Sequence, residues 1–482
     1  MIRQPIITFL GHVDSGKTSI QDFIRGTNIT EKEAGGITQK ISTTHISLAK
    51  IKQICGTLLA QSHLSLTIPG ILMIDSPGHA AFTNLRKRGG NIADIAILVV
   101  DIKEGIMPQT KESIEILKSY KTPFVIALNK IDTVSSFRSR HSLPLVNNLK
   151  TQSEKTLHEI ETKLYDIVKH FSEFGLNAER FDRIDDYKKQ IAIVPCSAKK
   201  GDGIPELLAI VAGLAQKYLE NSLRIAVNGT AKGIILEVKE MRGVGVVLDV
   251  IIYDGKIKQN DKIAIATLHE PIITKVRGIF EYSPGKMIAQ KEVSAAAAVL
   301  LAAPHLGDAL AGMPFQSFIE GENTVKKELK QQVQEVVIEN DHDGIILKAD
   351  TLGSLEALTN LVKEKKIPIK KASLGEISKR DIADAKAEKE LPHRAILGFN
   401  VKSTQSDGVV IITNEVIYKI LDDYGTWLGE AQQKEEQKEL KNVTYPVELR
   451  ILRGCVFRQS HPAIVGVLII AGKLINGASL MK

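Results

Sequence analysis

The sequence predicts a multi-domain chain of α/β and β architecture: an α/β domain, a β-barrel, an α/β/α sandwich, a long linker helix and the start of a second β-barrel. Three observations predict it. The chain has 482 residues, enough for about three or four domains. Residues 1 to about 220 alternate apolar, strand-like runs with helical periodicity, the pattern of a mostly parallel sheet covered on both faces. From Gly233 to Phe318 the pattern turns to short β-rich runs with turns such as Tyr253-Asp254-Gly255-Lys256, as in a small barrel.

The first domain, residues 1–220, opens with Ile6 to Leu10 as a short buried strand, followed by Gly11-His12-Val13-Asp14-Ser15-Gly16-Lys17-Thr18 and a helical run. A G-x-x-x-x-G-K-[ST] loop between a strand and a helix aims successive backbone N–H groups at a β-phosphate. Asp14, Ser15 and Gly16 form the cradle, Lys17 reaches the β- and γ-phosphates, and the Thr18 hydroxyl is placed to ligate magnesium. A second apolar run, Phe124 to Leu128, leads into Asn129-Lys130-Ile131-Asp132. A carboxylate at Asp132 can accept from both N1–H and the 2-amino group of guanine, donors that adenine lacks. Lys130 would pack along the nucleotide and Asn129 would tie this loop to the cradle. Ser197-Ala198-Lys199, after the strand Ile191 to Val194, supplies a backbone N–H for the guanine oxygen. An isolated N-K-x-D could be an ordinary polar turn; the three segments together mean GTP and GDP, not ATP.

Between them lie residues suited to switching. The strand Ile71 to Ile74 ends in Asp75-Ser76-Pro77-Gly78-His79. Asp75 can hold a magnesium-bound water, and Gly78 lets its N–H approach the γ-phosphate. His79 stands where many GTPases carry the side chain that orients the attacking water. Position singles it out among the 12 histidines. Thr38, after the flexible pair Gly35-Gly36, is the candidate for a second hydroxyl on magnesium (Mg2+). A polar, charged insertion near 133–190 interrupts this domain, and its middle has apolar residues at helical spacing.

The barrel is expected over 221–322, and alternation returns over 323–414, with GIILKAD as a strand and SLEALTNLVKE as a helix. Residues 415–442 read as a solvated linker helix, a stiff rod between domains. Residues 246–263 and 464–480 resemble each other as strand, glycine turn and second strand. The first copy continues into a full barrel, whereas the second reads as the opening of an incomplete C-terminal β-barrel over 443–482. An open barrel leaves unpaired edges.

Composition narrows the class. No apolar stretch reaches spanning length and the first residues run straight into a strand, so neither a membrane span nor a signal peptide is expected. Cys55, Cys196 and Cys455 are far apart, against disulfides or zinc and in favour of a reducing, cytoplasmic setting. The net charge of +7 is mild and suits a partner made largely of RNA.

With these residues in view, the chain resembles translation initiation factor 5B, the archaeal and eukaryotic counterpart of bacterial initiation factor two. The resemblance is carried by the cradle with Asp14, Ala34-Gly35-Gly36-Ile37-Thr38-Gln39, Ile68-Pro69-Gly70 leading to Asp75-Ser76-Pro77-Gly78-His79, Arg86-Lys87-Arg88-Gly89, Asn129-Lys130-Ile131-Asp132 and Thr351-Leu352-Gly353-Ser354-Leu355-Glu356-Ala357-Leu358. It runs nearly end to end. Phe174-Gly175-Leu176-Asn177-Ala178 in the insertion resembles the archaeal and eukaryotic branch, and a start directly at the first domain favours archaea. The resemblance implies a monomeric, cytoplasmic, ribosome-dependent GTPase that joins the large subunit to the initiation complex and leaves after hydrolysis. It implies contact with both ribosomal subunits, ribosomal RNA, initiator tRNA held by the terminal barrel, and other initiation factors. It also implies a monovalent cation near Asp14.

Three departures from the family pattern stand out. Ala80 follows His79 where a glutamate is common, and Ser15 replaces a bulkier residue. The terminal barrel is short: a fragment, a split gene product, or a variant whose tRNA contact is made otherwise. A second reading follows from it, a nucleotide-gated ribosome-binding module that lacks tRNA recognition.

Overall fold

The computed structural model describes residues 2–26, 42–61, 66–75, 86–87, 90–140, 143–223, 229–241, 243–283, 286–334, 336–339, 343–404, 406–442, 447–474 and 476–477. These divide into two compact units, Met1–Ile420 and Leu421–Lys482.

The first unit begins with a seven-stranded sheet. Its spatial order is Ser42–Ser47, Gly70–Asp75, Ile6–Gly11, Ile95–Asp101, Phe124–Asn129, Ile191–Pro195 and Ala178–Arg180. Every neighbouring pair is parallel except Ser42–Ser47 against Gly70–Asp75. The central strands are near-continuous apolar runs because helices and a second sheet cover both faces. The strands expected from Ile6, Ile71, Phe124 and Ile191 are all present, each one or two residues longer than read. Among the described residues, the phosphate loop and the loops at Asn129–Asp132 and Ser197–Lys199 leave the carboxyl ends of these strands, where open α/β sheets bind ligands.

The insertion holds the helix expected in its middle and adds a strand not read from the sequence. Its long helix, Glu154–Glu173, starts at a Ser153 cap that accepts the Thr156 N–H, and buries Ile160, Leu164, Ile167 and Phe171. The chain then turns at Gly175 and lays Ala178–Arg180 beside Ile191–Pro195 as the edge strand. Three residues are too few for periodicity to reveal a strand.

An eight-stranded antiparallel sheet follows, in the order Ile272–Lys275, Lys262–Ile265, Pro314–Phe318, Lys232–Met241, Gly245–Asp254, Ala297–Ala302, Gly278–Ser283 and Lys286–Gln290. Lys256–Lys258, the second strand after the Gly255 turn, pairs with Glu292–Ser294. The next sheet has five strands, in the order Ile338–Glu339, Ile369–Leu374, Ile345–Ala349, Ala395–Phe399 and Val410–Asn414, parallel except at the first. The helices Leu352–Glu364 and Lys379–Lys386 accompany it.

A 26-residue helix, Ile417–Asn442, leaves this sheet. In the second unit, Val447–Arg458 and Ile464–Gly472 form a two-stranded antiparallel sheet. The second repeat therefore pairs with the strand before it, and its continuation at 478–482 lies outside the described residues. Among the described residues no helix is long and apolar enough to cross a membrane. The architecture is thus the multi-domain α/β and β fold class that the sequence predicts, with a P-loop domain at its head.

Candidate nucleotide-binding site

The phosphate loop is shaped by two glycines. Gly11 closes the first strand with φ 138°, and a Cβ there would lie 2.2 Å from the Val99 carbonyl oxygen. Gly16, at the N-cap of Lys17–Arg25, has φ 92°, and a Cβ there would lie 2.2 Å from Asn129 Nδ2. Asp14, exposed at φ 62°, completes the tight turn. Ser15 is buried and donates its hydroxyl to the His12 carbonyl oxygen at 2.9 Å. Lys17 Nζ is held over the loop by the carbonyl oxygens of Gly11 and His12, at 2.9 and 2.6 Å. Thr18 follows it, buried, in the first turn of the helix.

Asn129 joins three segments. Its Nδ2 donates to the Ser15 carbonyl oxygen at 2.9 Å, and its Oδ1 accepts the Ala198 N–H at 3.0 Å. One fully buried amide therefore spans the phosphate loop and both base loops. Asp132 Oδ1 accepts from Ser197 Oγ at 2.6 Å, which fixes the carboxylate against the third loop. Lys130 adopts φ 66° and its Nζ pairs with Asp101 Oδ2 at 2.8 Å. Lys199 is exposed beside them. Burial, with Asp132 and Glu206 adding to it, pushes the Cys196 thiol well above its usual range, so it stays protonated.

The third loop spends its N–H groups unequally. The Ser197 N–H goes to the Asp202 carbonyl oxygen at 2.8 Å, the Ala198 N–H to Asn129, and the Lys200 N–H to Ser197 Oγ at 3.1 Å. Of the three residues read as base donors, this leaves the Lys199 N–H for a base.

Sequence reasoning missed two residues here. Gln109 Oε1 accepts the Val13 N–H at 3.0 Å and meets His12 Nδ1 at 2.6 Å, bracing the phosphate loop from the Pro108–Ser119 helix. Asp101 is the other. Both partners lie in a separate segment of the chain, so no local spacing announces them. Asp75 ends the strand next to the one that leads into the phosphate loop, but its side chain lies outside the described residues. Thr38, Gly78 and His79 also lie outside them.

The arrangement fits a guanine nucleotide. Two glycines let the loop pack closely against Val99 and Asn129, a lysine stands over it, and the Asp132 carboxylate is tied to the third loop beside Asn129. Comparisons with known proteins agree. Residues 3–217 match the Elongation factor Tu GTP binding domain, residues 319–425 match Translation-initiation factor 2, and residues 445–482 match Elongation factor Tu domain 4. Probable translation initiation factor IF-2 of Thermococcus sibiricus is 44% identical, over 100% of this chain and 84% of that protein. That of Methanopyrus kandleri is 46% identical over the same shares. The crystal structure of GDP-bound aIF5B from Aeropyrum pernix superposes with a TM-score of 0.85 at 41% identity, over 97% of this chain and 81% of that one. A cradle built for guanine nucleotides and this likeness along the whole chain have one explanation: the protein belongs to the translation initiation factor IF-2/aIF5B family of translational GTPases, which bind GTP and GDP.

Proposed function

We propose that this chain promotes the joining of ribosomal subunits around initiator tRNA and hydrolyses GTP to GDP and phosphate before it leaves the ribosome. The observation that carries the reading is the Asn129 staple, which makes the phosphate loop and both base loops one unit. Its working parts are a GTPase domain over 1–220 with its insertion, a barrel over 221–322, an α/β/α domain over 323–414, a linker helix over 415–442 and a C-terminal domain from 443. It works as a monomer in the cytoplasm, against both ribosomal subunits and beside other initiation factors.

In this reading Lys17 leaves the loop carbonyls for the β- and γ-phosphates, which charge makes favourable. Asp14, Ser15 and Gly16 shape the loop, with a monovalent cation near Asp14. Thr18, Thr38 and Asp75 would hold Mg2+, directly or through water. The chemistry that such an ion supplies is neutralisation of charge that builds on the phosphate oxygens. The Gly78 N–H meets the γ-phosphate and His79 orients the attacking water. Asp132 reads N1–H and the 2-amino group, the Lys199 N–H reads the guanine oxygen, and Lys130 packs beside the base after exchanging its Asp101 contact.

The test is GTP turnover with and without purified ribosomes, paired with binding of charged initiator tRNA to the same chain. Slow intrinsic turnover, strong stimulation and tRNA binding are expected. His79→Ala should keep GDP binding and lose most stimulated turnover; unchanged turnover would remove its catalytic role. The alternative is a nucleotide-gated ribosome-binding module without tRNA recognition. It draws on the exposed apolar side chains of the C-terminal hairpin, Ile451, Phe457 and Leu468 among them. It would give stimulated turnover without tRNA binding.

A further inference from the structure

The third loop is held from outside the nucleotide site. Asp202 closes it, its carbonyl oxygen accepting the Ser197 N–H, while the Gly201 N–H returns to the Ser197 carbonyl oxygen at 2.7 Å. The Asp202 side chain, only 3% exposed, turns away from the nucleotide loops. Its Oδ1 accepts from Asn148 Nδ2 at 2.8 Å and from the Arg140 N–H at 3.2 Å, and its Oδ2 accepts from Ser139 Oγ. All three donors belong to the opening stretch of the insertion. Four residues on, Glu206 Oε1 accepts the Leu145 N–H at 2.6 Å. The two ends of this stretch are tied to each other: Asn148 Oδ1 accepts from Gln152 Nε2 at 2.7 Å, and Gln152 in turn bonds the backbone of Arg138 in both directions. A buried carboxylate is costly unless donors surround it, and bonds to an ionised acceptor are the stronger kind. The loop that reads the base is therefore fastened to residues 138–140 and 145–152, not only to its own strand.

We propose that Asp202 is a positioning residue for guanine recognition, and that the opening of the insertion sets guanine preference and GDP dwell time through it. The inference rests on the guanine reading given above. Loosening Asp202 frees the end of the loop that presents the Lys199 N–H, so the damage falls on the contact to the guanine oxygen. Asp132 leans on the same loop through Ser197 Oγ, but its backbone has support besides, the Thr133 N–H to the Lys130 carbonyl oxygen at 2.9 Å and the Ile131 N–H to the Cys196 carbonyl oxygen at 3.2 Å.

The test measures GDP, 6-thio-GDP, IDP and ADP release from the full chain by stopped flow. The variants are Asp202→Asn and Asn148→Ala, the second on the insertion and away from the nucleotide. Both should release GDP about ten- to a hundredfold faster, the range expected for losing buried bonds to a charged group. The penalty for 6-thio-GDP against GDP should shrink, because the oxygen contact is already weakened, and should shrink more than the penalty for IDP. A purely structural role would speed the release of all guanine analogues alike and leave both ratios unchanged; that outcome overturns the proposal, as does unaltered GDP release in both variants. If Asp202→Asn fails to fold, Asn148→Ala decides alone. Failure of the guanine reading looks different: the unsubstituted chain would then hold ADP as long as GDP.

Discussion

Asn129 occupies the space a side chain at Gly16 would need, and that single crowding explains much of the phosphate loop. At φ 92°, with a Cβ only 2.2 Å from Asn129 Nδ2, Gly16 cannot become alanine without moving the staple or straining the backbone. Gly16→Ala is expected to weaken GDP binding at least tenfold by calorimetry, with the thermal midpoint changed far less. Asp132 makes a second residue-scale prediction. Asp132→Asn replaces an acceptor by a donor, so preference for GDP over XDP should fall or reverse in competition binding; equal preference in both forms would count against the base assignment. These residues were legible because their spacing along the chain is their function. Gln109, Asp101 and Asp202 were not, since each acts on a segment that only folding brings near: Gln109 reaches Val13, and Asp202 reaches Asn148.

Elements were legible where one face is wet. Glu154–Glu173 shows its buried stripe because its other side meets solvent. Residues 71–74 are buried on both faces, and their apolar run could not say what lies on each: Ile71 and Met73 face the core of the first sheet, while Leu72 and Ile74 join side chains from the barrel. Polar burial was equally silent in the sequence. Asp381, 1% exposed, takes Lys348 Nζ and Lys371 Nζ at 2.9 Å each, and Ser378 closes a capping box with it at the start of Lys379–Lys386. Burial alone would raise this carboxyl; bonds from Lys371, Ser378 and Lys348 outweigh it and hold it well below its usual 3.8. A depressed carboxyl contributes stability above its unfolded value, and that share is lost as pH falls below about 4 through the folded value. Asp381→Asn should therefore lower urea stability at pH 7 by about 3–5 kcal/mol, because it takes the charge partner from buried Lys348 and leaves Lys371 only the longer pair with Asp384 at 3.7 Å. The gap between variant and parent should narrow as the pH is taken from 5 towards 2; a constant gap would deny the ionised pair its role.

At the scale of the first unit, the seam between the P-loop sheet and the barrel governs how far the two can act apart. Ile6, Leu72 and Ile74 from the sheet, and Ile92 just before its strand Ile95–Asp101, share one apolar cluster with Ile234, Leu236, Ile251 and Ala296 from the barrel domain. Polar contacts edge it: Gln4 Nε2 donates to the Ala296 carbonyl oxygen at 2.6 Å. Nearby, Arg3 pairs with Asp94, which also accepts the Ile6 N–H at 2.8 Å. The barrel thus replaces a helix as cover for the strands that lead to the phosphate loop and to Asp75. A barrel alone was predictable from its short strands; its choice of this face was not, because an apolar strand specifies burial and not a partner. Ile251→Ala, in the seam, and Leu300→Ala, in a cluster with Val247 and Ala302 away from it, should each destabilise by about 2–5 kcal/mol. Only Ile251→Ala should also speed hydrogen exchange in Ile6–Gly11 and Gly70–Asp75, because only it removes cover from those strands. Equal acceleration by both would mean that sheet and barrel open as one body, and that the seam transmits every loss of barrel stability to the nucleotide loops.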